Sequence, residues 1–255
     1  SADYETYNLG EQASAVGDVQ AAADVDGKVF MVTPDGALYV QNEDLKTGLQ
    51  YIRTLEVTPT DLAYNAKDGF LYGISESDGL VRIDKLTGAC TKVGMPGIRT
   101  GTLACDEAGT FYSLSCEDNG LYRFTLDTMA EPVAITSEVH SNNYVQALEL
   151  NPNNGKLYWN SFYYFDFYGF FQLIYAELYE IDPATGEVVT LKDFEHEITA
   201  LCIPLKSSGG GWSQPTDEVS AVNLSDTSLS ILRGNKAQLS ASVLPWTATN
   251  RDVTW

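Results

Sequence analysis

The chain is short of cations, histidines and long apolar runs, and each shortage removes a class of function. Lys and Arg number 15 against 35 Asp and Glu, which gives a net charge of −20 and a pI of about 4.2. Such a surface repels a phosphate backbone, so nucleic acid is excluded as a partner. It repels anionic lipid headgroups as well. Only two histidines occur, His140 and His196. Neither stands in an H-E-x-x-H motif, and no G-x-S-x-G elbow is present, so zinc-protease and serine-hydrolase sites have nothing to build on. His196, between Glu195 and Glu197, reads as a solvated turn residue. No stretch reaches the about 20 apolar residues that span a bilayer, so membrane insertion is not expected. The four cysteines (Cys90, Cys105, Cys116 and Cys202) form no C-x-x-C pair and are too few for a disulfide scaffold. Cys105 and Cys116 flank one predicted hairpin; a bridge across it and two buried thiols both fit.

What the chain has in quantity is hydrophobic residues (44%), glycine (21) and tyrosine (15). With many short turn signals between apolar runs, this mix predicts an all-β fold with a sizeable core. The start, Ser1-Ala2-Asp3-Tyr4-Glu5, has no basic residues and no apolar segment after it. It reads as a mature or trimmed chain whose signal peptide is gone, which places the protein outside the cell or on its surface.

Residues 19 to 203 carry an internal repeat. Each copy runs apolar strand, Gly turn, aromatic strand, Gly turn, third strand, turn, fourth strand. The second copy is the clearest: Thr60–Tyr64, Phe70–Ile74, Leu80–Asp84 and Cys90–Val93, with Lys67-Asp68-Gly69, Ser77-Asp78-Gly79 and Leu86-Thr87-Gly88 between them. The third repeats it through Leu103–Asp106, Thr110–Leu114, Leu121–Phe124 and Pro132–Ile135. Leu62 and Leu103 are 41 positions apart, and Tyr72 and Tyr112 are 40. The fourth copy has Val145–Leu150 and Lys156–Trp159, and after an insertion resumes at Leu178 to Val189; the first is looser, from Val19 to Thr47-Gly48. Asp-Gly and Asn-Gly supply the positive φ that tight hairpins need. One four-stranded sheet leaves both faces wet, whereas sheets arranged around an axis cover one another, and a period near 40 marks a β-propeller. A fifth copy begins at Ile198–Ile203, so five blade positions are expected, with Tyr4–Leu9 as a closing outer strand.

The run Leu178-Tyr179-Glu180-Ile181-Asp182-Pro183-Ala184-Thr185-Gly186-Glu187-Val188 resembles the blade strand of quinoprotein-like and YVTN-like propellers. Val189-Thr190-Leu191 stands where quinoprotein blades place a docking tryptophan, so no quinone or other cofactor is expected. The WD40 pattern is absent. Beyond the linker Ser207-Ser208-Gly209-Gly210-Gly211, a second pattern starts: Val219–Leu224, Ser228–Ile231, Arg233-Gly234-Asn235, Gln238–Val243, Leu244-Pro245, Ala248-Thr249-Asn250 and Val253-Thr254-Trp255. It is similar to the first part of a bacterial Ig-like (group 2) domain, a β-sandwich. The division expected is 1–206 propeller, 207–216 linker and 217–255 partial Ig-like domain, the last paired with another chain or docked on the propeller.

Candidate chemistry is sparse. Asp24-Val25-Asp26-Gly27 hints at a calcium loop, but the distal Glu is missing and the residues serve as a hairpin turn, so no metal is expected. Arg82 and Arg123 share a third-strand position that Glu180 and Val40 take in other copies; without the S-x-D-x-G-x-T-W box of sialidases, surface ion pairs are the expected use. Asp61, Asp106 and Glu149 are acids that an axial catalytic site would need to bring together. The most unusual stretch is the aromatic insertion of the fourth copy. Trp159, Tyr163, Tyr164, Phe165, Phe167, Tyr168, Phe170 and Phe171 are the candidate contact residues. Tyr and Trp suit interfaces and stack on sugar rings. The competing reading is a long hairpin packed on the propeller or on the Ig-like part. The expected function is non-catalytic recognition or adhesion, with a glycan or protein as ligand, in a large secreted or surface-attached bacterial protein. Two alternatives stand beside it: a carbohydrate-active hydrolase or lyase on the axial face, and a spacer.

Overall fold

The computed structural model describes residues 18–41, 49–118, 120–136, 147–167, 171–194, 197–203, 221–224 and 241–244. The chain divides into two compact units, residues 1–205 and 206–255. The first is all-β among its described residues and carries four four-stranded antiparallel sheets, each in sequence order. Blade one is β1 (Ala21–Val25), β2 (Lys28–Val32), β3 (Ala37–Gln41) and β4 (Leu49–Thr54). Blade two is β5 (Asp61–Asn65), β6 (Phe70–Ser75), β7 (Gly79–Ile83) and β8 (Cys90–Gly94). Blade three is β9 (Ala104–Cys105), β10 (Phe111–Leu114), β11 (Leu121–Phe124) and β12 (Val133–Thr136). Blade four is β13 (Leu148–Asn151), β14 (Lys156–Phe167), β15 (Phe171–Ile181) and β16 (Val188–Phe194). This is a four-bladed propeller arrangement.

The repeat extends to irregularities. In blades two to four the third and fourth strands slip register immediately after one equivalent leucine, Leu80, Leu121 and Leu178; in blade one the slip follows Leu38, which stands one position along, at the place of Val81. Such a bulge raises the local twist, so its recurrence gives these three outer edges the same turn. The turns follow the sequence too. Asp26 (φ 53) and Gly27 (φ 83) form a left-handed pair between β1 and β2, which is the geometry a two-residue hairpin requires. Gly79 is more constrained still: at φ 71, a Cβ there would lie 2.4 Å from the Gly94 carbonyl oxygen.

The innermost strands touch in order, β1 to β5, β5 to β9 and β9 to β13. Between blades two and three the core is Ala63, Tyr72, Ile74, Leu80, Leu103, Phe111 and Phe124. Between blades three and four it is Ala104, Tyr112, Leu114, Leu121, Leu148, Leu157, Trp159 and Ile181. Each fully buried aliphatic or aromatic side chain contributes roughly 1.5–3 kcal/mol, so each junction is a substantial source of stability.

One expectation is corrected. Residues 197–203 form no strand, so four blades are built rather than five. A strand needs a neighbour to complete its ladder, and the repeat supplies no further copy after Ile203. The segment still makes a blade-to-blade bond. The Thr199 hydroxyl donates to the Val19 carbonyl, as the Thr60 hydroxyl donates to the Gly101 carbonyl at 2.7 Å. Tyr4–Leu9 lies outside the described residues. In the second unit, β17 (Ala221–Leu224) pairs antiparallel with β18 (Ala241–Leu244).

Candidate functional site

The fourth blade departs from its siblings in one hairpin. β14 is 12 residues long and β15 is 11, against four to six for their counterparts. Among the described residues, β13 pairs with β14 as far as Trp159, and β16 pairs with β15 from Ala176 inward. Past these points β14 and β15 continue as a two-stranded ribbon, pairing Tyr163 with Tyr175, Tyr164 with Ile174, Phe165 with Leu173, Asp166 with Gln172 and Phe167 with Phe171. Strand residues alternate between faces. One face of the ribbon therefore carries the positions Tyr163, Phe165, Phe167, Phe171, Leu173 and Tyr175, with no polar-only residue among them. Tyr164 and Asp166 take the other face. Tyr168 and Phe170 lie outside the described residues.

Trp159 does not belong with this set. It is 1% exposed, sits in the core between blades three and four, and stacks on Tyr179 with ring centroids 5.0 Å apart. Its position explains the placement: it shares a face with Leu157, the face that looks toward blade three. A partner at the surface does not reach it, so Trp159 is a core residue rather than a contact.

The acids near the axis are placed differently from one another. The Asp61 carboxylate is buried and accepts three backbone N–H bonds, from Leu62 (3.0 Å), Leu103 (2.8 Å) and Leu148 (2.9 Å). It thereby ties the inner edges of blades two, three and four together. Burial pushes its carboxyl well above the usual range, and the three N–H donors pull it back only in part. Asp106 instead closes a turn, accepting from the Thr110 N–H (2.8 Å) and the Tyr112 hydroxyl (3.2 Å). Burial, followed by the Asp106 charge, pushes that phenol up to about 12. Glu149 is raised well above the usual range by burial, then by the charges of Asp61 and Asp24. Its Oε2 is buried without a hydrogen-bond partner among the described residues, and so is Oδ2 of Asp24. Asp61 and Glu149 are thus brought near one another, while Asp106 belongs to its turn. Reading Asp24 as a turn residue holds for Oδ1, which accepts from the Gly27 N–H, but misses its part in the axial group. No cluster of three or more His, Cys, Asp or Glu able to hold a metal occurs among the described residues.

Other expectations resolve as follows. Cys105 and Cys116 are free thiols, because they lie at opposite ends of β10. Burial pushes the Cys105 and Cys202 thiols up, and Glu149 adds to both shifts. Arg82 lies over the Phe70 ring at 4.6 Å, a cation–π contact where an ion pair was expected. The first-blade residue at its position is Tyr39, since Met31 pairs with Tyr39 as Tyr72 pairs with Arg82. No helix among the described residues is long and apolar enough to cross a membrane.

Residues 60–229 match the model of a family described as a repeat of unknown function (DUF6923). The chain belongs to this family. Members of the family so described share the repeat, and the match runs from blade two into the second unit. Among solved structures, the chain is similar to one in a nidogen/laminin complex, at 10% identity and a TM-score of 0.48, covering 72% of this chain and 84% of that one. It is also similar to a structural genomics protein of unknown function from Bacteroides thetaiotaomicron VPI-5482, at 16% identity and a TM-score of 0.44, covering 68% of this chain and 42% of that one. The chain therefore spans less than half of the Bacteroides protein's length. No curated protein matches it.

Proposed function

We propose that this chain is a non-catalytic recognition module in which a propeller scaffold presents the β14–β15 ribbon to a glycan or protein ligand. The observation that carries this reading is the ribbon itself. Among the described residues it runs beyond both flanking strands, and one of its faces is a ladder of Tyr, Phe and Leu positions. An isolated two-stranded ribbon is marginal in water, and aromatic residues at its tip are the kind that anchor an interface. The contact set is Tyr163, Phe165, Phe167 and Phe171, with Tyr164, Tyr168 and Phe170 around it. Two of the three candidate acids are held in structural roles, Asp61 in joining three blades and Asp106 in its turn.

The reading includes a setting. The module belongs to a secreted or surface-attached bacterial protein, and residues 217–255 are the first part of an Ig-like domain. The antiparallel pairing of β17 with β18 and the division of the chain near residue 206 support that assignment. Residues 197–203 tie back to the start of the first blade through the Thr199 bond to Val19.

The test is a triple variant, Phe165→Ala, Phe167→Ala and Phe171→Ala, against a glycan array and an array of extracellular proteins. Binding lost from either array with an unchanged melting midpoint supports the ribbon as the contact and names the ligand class. Binding retained by the variant removes it.

A further inference from the structure

In the repeat, one inner-strand position faces the next junction: Ala22, Ala63 and Ala104 in blades one to three, and Glu149 in blade four. The three alanines are at most 5% exposed. Glu149 thus places a carboxyl where the fold elsewhere accepts only a methyl group. The same face of blade four carries Asn160, at the position of Ile74 and Leu114. Asn160 is 2% exposed, and neither end of its amide has a hydrogen-bond partner among the described residues. This polar face is the one turned away from the core shared with blade three, and the segment 197–203 lies within electrostatic reach of Glu149. Cys202 of that segment feels both Glu149 and Asp24.

We propose that this junction is a proton-dependent lock: it is closed while Glu149 carries a proton, and it loosens as rising pH removes that proton. The groups facing Glu149 give it no counter-charge among the described residues. They are Asp61 from β5, Asp24 from β1 with Asp26 behind it, Cys105 from β9 with Asp106 and Asp68 around it, and Cys202 from the 197–203 segment. Glu149 is half-buried as a residue, with its Oε2 buried and unpartnered among the described residues; ionised, that oxygen stands beside two other carboxyls at a cost that the neutral acid does not carry. Asp61 cannot relieve it, since both of its oxygens are engaged by backbone N–H groups.

The direction follows from linkage. In the unfolded chain Glu149 loses its proton in the ordinary carboxylate range; in the fold it holds the proton to higher pH. Between these values the folded state binds more protons, so stability is greatest below the unfolded value and falls as pH rises through the window. Surface carboxylates are already ionised by pH 6, and the Glu149→Gln comparison separates Glu149 from the two histidines and from the raised Asp61 and Asp24 carboxyls.

The experiment measures melting midpoints of the whole chain at pH 6, 7 and 8 for wild type, Glu149→Gln and Glu149→Ala. The expected wild-type midpoint falls by several degrees across the range, on the scale of about 2–4 °C per unit of destabilisation typical for this size. Either variant that folds should lose at least half of that fall. Amide exchange, corrected for intrinsic pH dependence, should rise with pH in residues 197–203 and β13 of wild type, and not in Glu149→Gln. Midpoints of wild type and Glu149→Gln that fall in parallel overturn the proposal, as does an exchange increase spread evenly over all four blades.

Discussion

The outgoing faces of blades three and four are built on one backbone and differ at two of four corresponding positions, where apolar residues give way to Glu149 and Asn160. In blade three the face presents Ala104, Tyr112, Leu114 and Leu121, all in a dry core. In blade four the corresponding positions hold Glu149, Tyr158, Asn160 and Leu178. The Tyr158 hydroxyl donates to Glu180 at 2.5 Å, where its blade-three counterpart stands opposite Arg123. The hairpins differ in the same sense: Phe111–Leu114 and Leu121–Phe124 stop at the sheet, whereas Lys156–Phe167 and Phe171–Ile181 continue past it. The repeat thus sets the strands, turns and bulges, and the departures gather in the copy that ends the array. Buried polar groups without partners weaken a fold, so their concentration in one blade marks a region that the architecture alone does not explain.

The largest expected effect comes from the residue that links the regular blades to the divergent one. Asp61→Ala leaves the N–H groups of Leu103 and Leu148 buried without acceptors, along with that of Leu62. At about 1–3 kcal/mol for each stranded group, urea denaturation should show a loss of at least ~3 kcal/mol or a chain that does not fold. Exchanging the two faces sharpens the comparison. Leu114→Asn should cost ~2–4 kcal/mol by adding an unpaired amide and removing core volume. The converse change, Asn160→Leu, should stabilise by ~1 kcal/mol or more. If both substitutions cost the same, the two faces are equivalent and the contrast drawn here is wrong. Gly79→Ala should destabilise by ~1–3 kcal/mol, because its left-handed φ and the 2.4 Å approach to the Gly94 carbonyl oxygen leave no room for a Cβ. Arg99→Ala should have no measurable effect on the denaturation midpoint, since its ion pair with Glu76 is 51% and 41% exposed.

Much of the fold was legible in the sequence for a local reason. The strand limits read for the second copy differ from those observed by one residue at each end that changed, because Asp68-Gly69, Asp78-Gly79 and Thr87-Gly88 pin the turns. The long hairpin was legible as well, since its aromatics exceed what a sheet edge needs. Trp159 was misread because aromatic density hides parity: counted in steps of two from Leu157, it falls on the core face. Glu149 was visible as an acid, and aligning it with Ala63 and Ala104 would have marked it as out of place. The part played by Asp24 was not visible, because its neighbours come from across the axis rather than along the chain. The strand expected at Ile198–Ile203 failed because composition describes a segment's own preference, while a ladder depends on a second segment beside it.

The claim that matters most is that the ribbon serves a partner and not the propeller. It is tested by replacing residues 163–175 with Asn-Gly, which closes a two-residue hairpin between the paired positions Phe162 and Ala176, and recording the melting midpoint. A ribbon kept for binding leaves the midpoint within about 2 °C of wild type. A fall of about 10 °C, the scale of several kcal/mol in a domain of this size, would show that the ribbon is packed as part of the fold and would contradict the account.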